Sequence, residues 1–184
     1  MIEAWLEWLR EIRDTPWEPV PLAALIAASV GFALLFIAAA TSADGWVMFL
    51  DGVNLAFHEV GHPIFSIFGD TLHILGGTLG QLMIPLVVAG AFWKQRQPLG
   101  LSIAGVWFFE NFLNIARYMA DARAQLLPLV GGGEHDWFEL FLKWGCLRQD
   151  TSIAAKVRVI GWIGMLAAWA WLGWRWWRGR ESAQ

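Results

Sequence analysis

The chain has 184 residues, of which 57% are hydrophobic and only 16% are charged, and it contains 14 tryptophans. A water-soluble domain of this length could not bury so many apolar side chains, so the composition predicts an integral membrane protein whose first partner is the lipid bilayer. The formal net charge of -3 comes without a long basic tract, which excludes nucleic-acid binding from the expected functions.

The first predicted element is an amphipathic helix within residues 1–19. This segment lacks the basic start, the apolar core and the small-residue cleavage site of a signal peptide, so we expect it to stay on the protein. An acidic face opposite an apolar face is typical of a helix that lies in the membrane interface. The apolar face consists of Ile2, Trp5, Leu6, Leu9 and Ile12.

Residues 20–184 are predicted to form an all-α, polytopic membrane helical bundle with about five transmembrane helices. A helix needs about 20 apolar residues to cross a bilayer, and five segments approach that length. Gly76, Gly77 and Gly80 in the third of them lack side chains and therefore favour close contact with a neighbouring helix. The approximate bounds of the spans are 21–40, 46–68, 72–93, 99–119 and 153–177, with an outer loop and a short helix in 120–151.

Basic residues predict the orientation of these spans. They are concentrated at the C-terminus and in the turn that contains Lys94 and Arg96, and the positive-inside rule places both regions in the cytoplasm. Five spans then place the N-terminus outside. The same count places the 120–151 loop on the outer side, where the end of the second span that carries His62 also lies.

The second predicted span contains the sequence His58-Glu59-Val60-Gly61-His62. Residues four apart lie on one face of a helix, so His58 and His62 can present two imidazole nitrogens to one ion. Glu59 lies about 100° further round the helix, in the position of the general base in zinc hydrolysis. Because the chain has a single cysteine, the ligands would be nitrogen and oxygen atoms, and the pattern predicts Zn²⁺. The alternative interpretation is that hydrogen bonds at a helix interface satisfy both histidines.

The third ligand is less well defined by the sequence. A catalytic zinc usually has three protein ligands and one open position. His135, which follows a flexible run of three glycines on the predicted outer side, is the first choice, and Asp121 and Asp136 are the alternatives. Asp136 has a second interpretation as the N-cap of the helix that begins near Trp137. His73 is expected to be an interfacial residue rather than a ligand.

Polar side chains recur along one face of the second and of the fourth predicted spans. Asp51 and Asn54 precede His58 by seven and four residues, and an alternative for Asp51 is that it lies near the end of its span and meets water. The fourth span carries a second stripe, which should face the first. We expect members of both stripes to form hydrogen bonds that orient the metal-binding imidazoles. The residues expected in this role are Asn54, Asn111, Asn114 and Tyr118.

The segment Phe57–His62, within a small all-helical membrane protein, resembles the site-2-protease-like intramembrane zinc metallopeptidases. Over residues 45 to 150 the chain is also similar to bacterial membrane proteins classed as zinc peptidases on their motifs. This resemblance implies zinc ligands at His58 and His62, a base at Glu59 and a location in the bacterial inner membrane. Those proteases take a third ligand from a distal Asn-Pro-Asp-Gly-like motif, which this chain lacks, so the third ligand stays open. The wider pattern comprises Leu75–Gln81, Tyr118–Arg123 and His135–Trp137.

Three functions are compatible with these patterns. The first is a zinc peptidase at or within the membrane, in which Glu59 takes a proton from zinc-activated water and the substrate is a peptide or a membrane protein. The second is a non-catalytic, metal-stabilised subunit of a larger membrane complex. The third, ion or proton translocation, is the least favoured because no clear series of gated carboxylates is visible. The position of Glu59 favours the peptidase.

Overall fold

A computed structural model of the chain describes residues 1–42, 45–130 and 134–181, without the side chains of residues 2–4, 8 and 9. All regular structure in these ranges is helical, which confirms the predicted all-α class. The helices are α1 (Ile2–Asp14), α2 (Leu22–Thr41), α3 (Met48–Phe65), α4 (Asp70–Lys94), α5 (Pro98–Ala120), α6 (Asp136–Lys143) and α7 (Asp150–Glu181), with 3₁₀ turns at Ser66–Phe68 and Leu147–Gln149. Two sequence predictions involve residues outside the described set: the side chains of Ile2 and Leu9 on the apolar face of α1, and the three glycines at 131–133.

Four helices are long and apolar enough to cross a membrane, namely α2, α4, α5 and α7. They correspond to four of the five expected spans. The count of five is not confirmed, because α3 is absent from this group and five polar side chains interrupt its 18 residues. The interfacial position of α1 stays a prediction.

The centre of the bundle is the antiparallel packing of α5 against α7. Gly161 and Gly164 of α7 leave room for Phe109 of α5, since a Cβ atom at either glycine would overlap this residue. Ser102 Oγ donates a hydrogen bond to the Ala168 carbonyl oxygen at 2.8 Å, which satisfies the hydroxyl group within the bundle. These contacts form a closely packed helix pair on which the other helices assemble.

The contact between α3 and α4 is made by glycines. A Cβ atom added to Gly80 would lie 2.5 Å from the Phe57 carbonyl oxygen, and one added to Gly61 would overlap the Gly76 carbonyl group. The two backbones therefore touch directly, which confirms the expected role of the glycines in the third predicted span. Because α3 runs antiparallel to α4, its second half lies beside the start of α4.

The N-terminal segment lies at the same end of the bundle as the α4–α5 turn and the end of α7. Arg96 Nε donates a hydrogen bond to the Ile12 carbonyl oxygen at 2.6 Å, and Glu18 N donates to the Arg96 carbonyl oxygen at 2.9 Å. The Trp17 ring contacts Trp171 edge-on, with ring centroids 5.3 Å apart. These contacts place the N-terminal segment and the end of α7 at one end of the bundle, so they do not support the expectation that the N-terminus lies outside while the C-terminus is cytoplasmic. That expectation depended on counting α3 as a full span.

The glycine contact between α3 and α4 yields a matched pair of substitutions. We expect Gly80→Ala to lower the free energy of unfolding by about 1–3 kcal/mol, because the added methyl group meets a backbone carbonyl group. Gly90→Ala on the same helix has nothing within 4 Å of the new Cβ and should be neutral or stabilising by up to about 1 kcal/mol. Thermal unfolding in detergent measures both, and equal effects would contradict the direct backbone contact.

Candidate metal centre

His62 is held in the tautomer that a metal ligand requires. Its Nδ1 atom lies 2.9 Å from the carbonyl oxygen of His73 on α4. A carbonyl oxygen only accepts hydrogen bonds, so Nδ1 carries a proton, and Nε2 is the ring nitrogen that can bind a metal ion once it is deprotonated. Metal-binding histidines usually donate their other ring nitrogen to a carbonyl or carboxylate group in this way.

Asp136 brings an oxygen atom to both histidines of the motif. Asp136 is the first residue of α6. Its carboxylate oxygen Oδ2 lies 2.9 Å from His58 Nε2 and 3.4 Å from His62 Nε2. Burial raises the pKa of Asp136, but hydrogen bonds with the two imidazoles outweigh it and hold the pKa below its ordinary value. The Asp136 backbone N–H donates to the Tyr118 hydroxyl oxygen at 3.1 Å, which fixes the start of α6 above the histidines.

The three side chains have the composition and spacing of a zinc site. Their ligand atoms lie within 4.8 Å of one another, and no other group of this kind occurs among the described residues. Ligands bound at about 2.0–2.1 Å in tetrahedral geometry lie about 3.3 Å apart. The observed separations of 2.9 and 3.4 Å are close to this value. Two imidazoles and one carboxylate also match the ligand set of catalytic zinc sites that keep a fourth position open.

Two residues of α4 contribute to the site in ways that the sequence did not predict. A Cβ atom at Gly77 would lie 2.5 Å from Nε2 of His58, so the His58 imidazole packs directly against the α4 backbone at Gly77. His73, expected to be an interfacial residue, accepts from His62 through its carbonyl oxygen and donates from Nδ1 to the His62 carbonyl oxygen at 3.0 Å. The glycine in the helix interior was the only available signal for the first contact, and nothing in the sequence signals the second.

His135, the first choice for the third ligand, faces away from the other two histidines. It is the N-cap of α6, and its Nδ1 accepts a hydrogen bond from Phe138 N at 3.3 Å. The ring proton is therefore on Nε2, which lies 3.5 Å from Asp121 Oδ2. Burial lowers the pKa of the His135 imidazole, against the opposing charges of Asp121 and Asp136. The cap role considered for Asp136 thus belongs to its neighbour.

Asp121, the other alternative ligand, stabilises the loop after α5. Its two carboxylate oxygens accept hydrogen bonds from the backbone N–H groups of Leu126 at 2.9 Å and Leu127 at 3.0 Å. It is not part of the group of three ligand atoms. Of the three proposed third ligands, the geometry therefore favours Asp136.

The predicted polar stripes do face each other, but most of their members bond to one another rather than to the imidazoles. Asn54 Nδ2 donates to Glu110 Oε2 at 2.9 Å, and Asn114 Nδ2 donates to Asp51 Oδ1 at 3.0 Å. Asn111 donates to a carbonyl oxygen of its own helix. Only Tyr118 of the expected set contacts a motif histidine, with its ring centroid 5.8 Å from that of His58. The network therefore joins α3 to α5 beside the site without orienting its imidazoles.

A cavity of about 940 Å³ opens onto the three ligand atoms. Glu59 lies on its wall together with His58, His62 and Asp136, as the motif predicts for a base. In the described part of the chain, no side chain forms an ion pair or a hydrogen bond with the Glu59 carboxylate. The lining also includes four consecutive apolar residues of the loop after α5, namely Leu127, Pro128, Leu129 and Val130.

No protein-family model, curated protein or solved structure matches the chain. The likeness to site-2-protease-like peptidases therefore remains a likeness of short motifs. The functional argument rests on the geometry of the site.

The choice of third ligand predicts different effects at two adjacent positions. We expect Asp136→Asn to weaken zinc binding by more than the ~10–100-fold that is typical of losing an outer hydrogen-bond partner. His135→Asn should change the affinity by less than about threefold, because asparagine is a good N-cap and keeps the start of α6. Competitive titration of the purified protein with a zinc chelator measures both affinities. The reverse order of effects would assign the third ligand to His135.

The buried carboxyl group of Glu110 generates a second prediction. Its Oε2 accepts a hydrogen bond from Asn54 Nδ2 at 2.9 Å. Glu110→Gln keeps an acceptor oxygen at this position, so we expect stability within about 0.5 kcal/mol of wild type, whereas Glu110→Ala leaves the Asn54 amide without this acceptor and should cost about 1–3 kcal/mol. Thermal unfolding in detergent distinguishes the two. A glutamine variant as unstable as the alanine variant would contradict this hydrogen bond.

Proposed function

We propose that the chain is a membrane-embedded, zinc-dependent metallopeptidase that hydrolyses peptide bonds at or within the bilayer. The observation that carries this proposal is the orientation of His62, whose Nδ1 donates to the His73 carbonyl oxygen while Nε2 faces Asp136. The Nε2 atoms of His58 and His62 both face one Asp136 oxygen, at 2.9 and 3.4 Å, an arrangement that one metal ion is able to bridge. The choice of a peptide as substrate rests on the resemblance of the motif.

The residues of the site have separate roles in this mechanism. His58, His62 and Asp136 would hold the ion, which activates water and polarises a carbonyl oxygen when it is bound. Glu59 accepts the proton of the attacking water and returns it to the leaving amine, as a carboxylate without another described partner is able to do. Tyr118 keeps Asp136 in place through the hydrogen bond to its backbone.

The proposed orientation follows from the contacts at the two ends of the bundle. The site lies at the start of α4 and the end of α5, and the basic α4–α5 turn lies at the opposite end. Four spans would return the chain to its starting side, and the positive-inside rule favours the cytoplasm for the end with Arg96 and the arginines of α7. Both termini would then be cytoplasmic, and the site would face the outer side of a bacterial inner membrane.

The shape of the cavity is suitable for an extended peptide close to the bilayer. Its lining includes ionisable side chains, among them those of the three candidate ligands, and the exposed apolar side chains of Leu129 and Val130. The apolar part of the lining can bind hydrophobic side chains of a substrate, and the polar part can bind its backbone. Membrane proteins or peptides with an apolar segment near the outer surface are therefore the proposed substrates.

A zinc-stabilised, non-catalytic subunit is the second candidate, and one observation favours it. The ligands come from α3 and α6, so the ion would tie the short α6 to a helix from which it is distant in sequence. A purely structural zinc site usually has four protein ligands, whereas the described residues offer three. The three candidate ligands line an open cavity, which leaves room for water and a substrate at the ion and therefore favours catalysis.

The substitution Glu59→Gln separates binding from catalysis. We expect the variant to keep one zinc per chain and its zinc affinity, and to lose about 10²–10⁴-fold in hydrolysis, because glutamine cannot accept the proton. Zinc content is measured by elemental analysis, and hydrolysis is followed with a library of quenched fluorescent peptides that contain apolar segments.

His58→Ala serves as the control that removes a ligand, and it should lose both zinc and activity. Equal hydrolysis by Glu59→Gln and wild type would overturn the role of Glu59. Zinc-dependent stability in a wild-type protein that cleaves none of the peptides would favour the structural subunit.

A further inference from the structure

A buried arginine lies at the end of the bundle opposite the candidate metal centre. Arg96, in the α4–α5 turn, is only 5% exposed, and its described hydrogen bond is to the Ile12 carbonyl oxygen. Its guanidinium carbon lies 4.8 Å from the centroid of the Trp17 ring and 5.4 Å from that of Trp93. Aromatic faces attract a cation but do not neutralise it. The positive charge is thus buried without a carboxylate partner in the described chain.

A second guanidinium group contacts the same tryptophan. The guanidinium carbon of Arg175 on α7 lies 5.4 Å from the Trp17 centroid, and its Nε is buried without a hydrogen-bond partner among the described residues. The guanidinium carbons of Arg96 and Arg175 thus lie 4.8 and 5.4 Å from the centroid of the same ring. Two like charges beside one ring, one of them with an unsatisfied donor, are costly unless an anion lies between or beside them.

The nearby carboxylates do not supply that anion. Asp14 forms an ion pair with Arg13, its neighbour in sequence, with Oδ1 2.9 Å from Nε. Glu18 accepts a hydrogen bond from Gln97 Nε2 at 3.5 Å, and its backbone N–H donates to the Arg96 carbonyl oxygen. Asp14 acts on Arg96 through its charge but forms no ion pair with it, so an anion in direct contact with Arg96 would come from outside the described chain.

The backbone of Arg96 indicates that its side chain is needed here. Its φ of 56° is in the left-handed region, which glycine adopts without strain and which is unfavourable for a residue with a Cβ atom. Arginine at this position costs conformational energy that glycine would avoid. Strained residues of this kind persist where the surrounding structure holds them and are common in ligand-binding turns.

We propose that Arg96 and Arg175, together with the Trp17 ring, bind a phosphate group, and that in the membrane this group is the headgroup phosphate of an anionic phospholipid. Guanidinium groups bind phosphate oxygens through paired N–H donors, which would satisfy the buried Nε of Arg175. The cytoplasmic leaflet is rich in anionic lipid, and basic pockets between spanning helices bind such headgroups. Trp174, Trp176 and Trp177, near the end of α7, are suited to the same membrane depth.

The test compares two arginine substitutions that remove the same charge. The full chain in a neutral detergent is titrated with phosphatidylglycerol, phosphatidylcholine or inorganic phosphate, and the rise in thermal unfolding temperature gives the half-saturating concentration. We expect phosphatidylglycerol, but not phosphatidylcholine, to stabilise the wild type. Arg175→Gln should raise the half-saturating concentration at least about tenfold, because it removes a charged hydrogen bond.

Arg180→Gln is the matched control, since Arg180 is exposed at the end of the same helix and contacts Trp176 instead. It should change the half-saturating concentration by less than about threefold, because its charge is screened. The readout is the shift caused by lipid, so it stays interpretable if a variant is less stable without lipid.

The outcomes distinguish the source of the phosphate. Stabilisation by the lipid alone identifies a headgroup site, and stabilisation by inorganic phosphate as well identifies a phosphate site that free anions also enter. Equal effects of Arg175→Gln and Arg180→Gln would show diffuse attraction and overturn the site. A lack of response to both the anionic lipid and inorganic phosphate would overturn it too.

Discussion

The hydrogen bond from His62 Nδ1 to the His73 carbonyl oxygen is the interaction on which the metal centre depends. It fixes the proton of the imidazole on one nitrogen and leaves the other nitrogen facing Asp136. The bond is possible because α3 and α4 touch along their backbones, at glycines that leave no side chain between them. A packing feature of two helices thus determines the chemical state of a functional side chain.

The bilayer explains why several charged side chains of the described bundle have specific partners. Polar groups inside a membrane have little water to bind, so they must be satisfied by the protein or by bound ligands. Asp136 lies between two imidazoles, and Asp51 and Glu110 each accept a hydrogen bond from an asparagine. Arg175 Nε is one of five buried side-chain atoms without a hydrogen-bond partner in the described part of the chain, and it is the one that belongs to a guanidinium group. The proposed lipid phosphate would accept a hydrogen bond from this nitrogen and so satisfy it.

Local periodicity in the sequence was sufficient to predict several parts of the fold and of the site. The four-residue spacing placed His58 and His62 on one face, the glycines of the third predicted span gave the close helix contact, and the two polar stripes do face each other. These features depend on residues within one or two helical turns, which is the range over which sequence patterns are informative.

The remaining features depend on how distant segments meet, and the sequence pattern could not resolve them. His135 and Asp136 are adjacent, and only the position at which α6 begins decides which of them faces the motif histidines. The contribution of His73 comes partly from its carbonyl group, which every residue possesses. The count of five spans is not confirmed, because α3 is hydrophobic enough to resemble a span in the sequence but is not among the four helices that are long and apolar enough to cross a membrane.

The most direct test of the central claim is the zinc X-ray absorption spectrum of the purified protein loaded with one zinc per chain. The structure predicts a four-coordinate ion with two imidazole nitrogens, one carboxylate oxygen and one further light atom from solvent, at about 2.0 Å. A spectrum with three or more imidazoles, or a chain that does not retain zinc, would contradict the assignment of His58, His62 and Asp136 as an open metal centre.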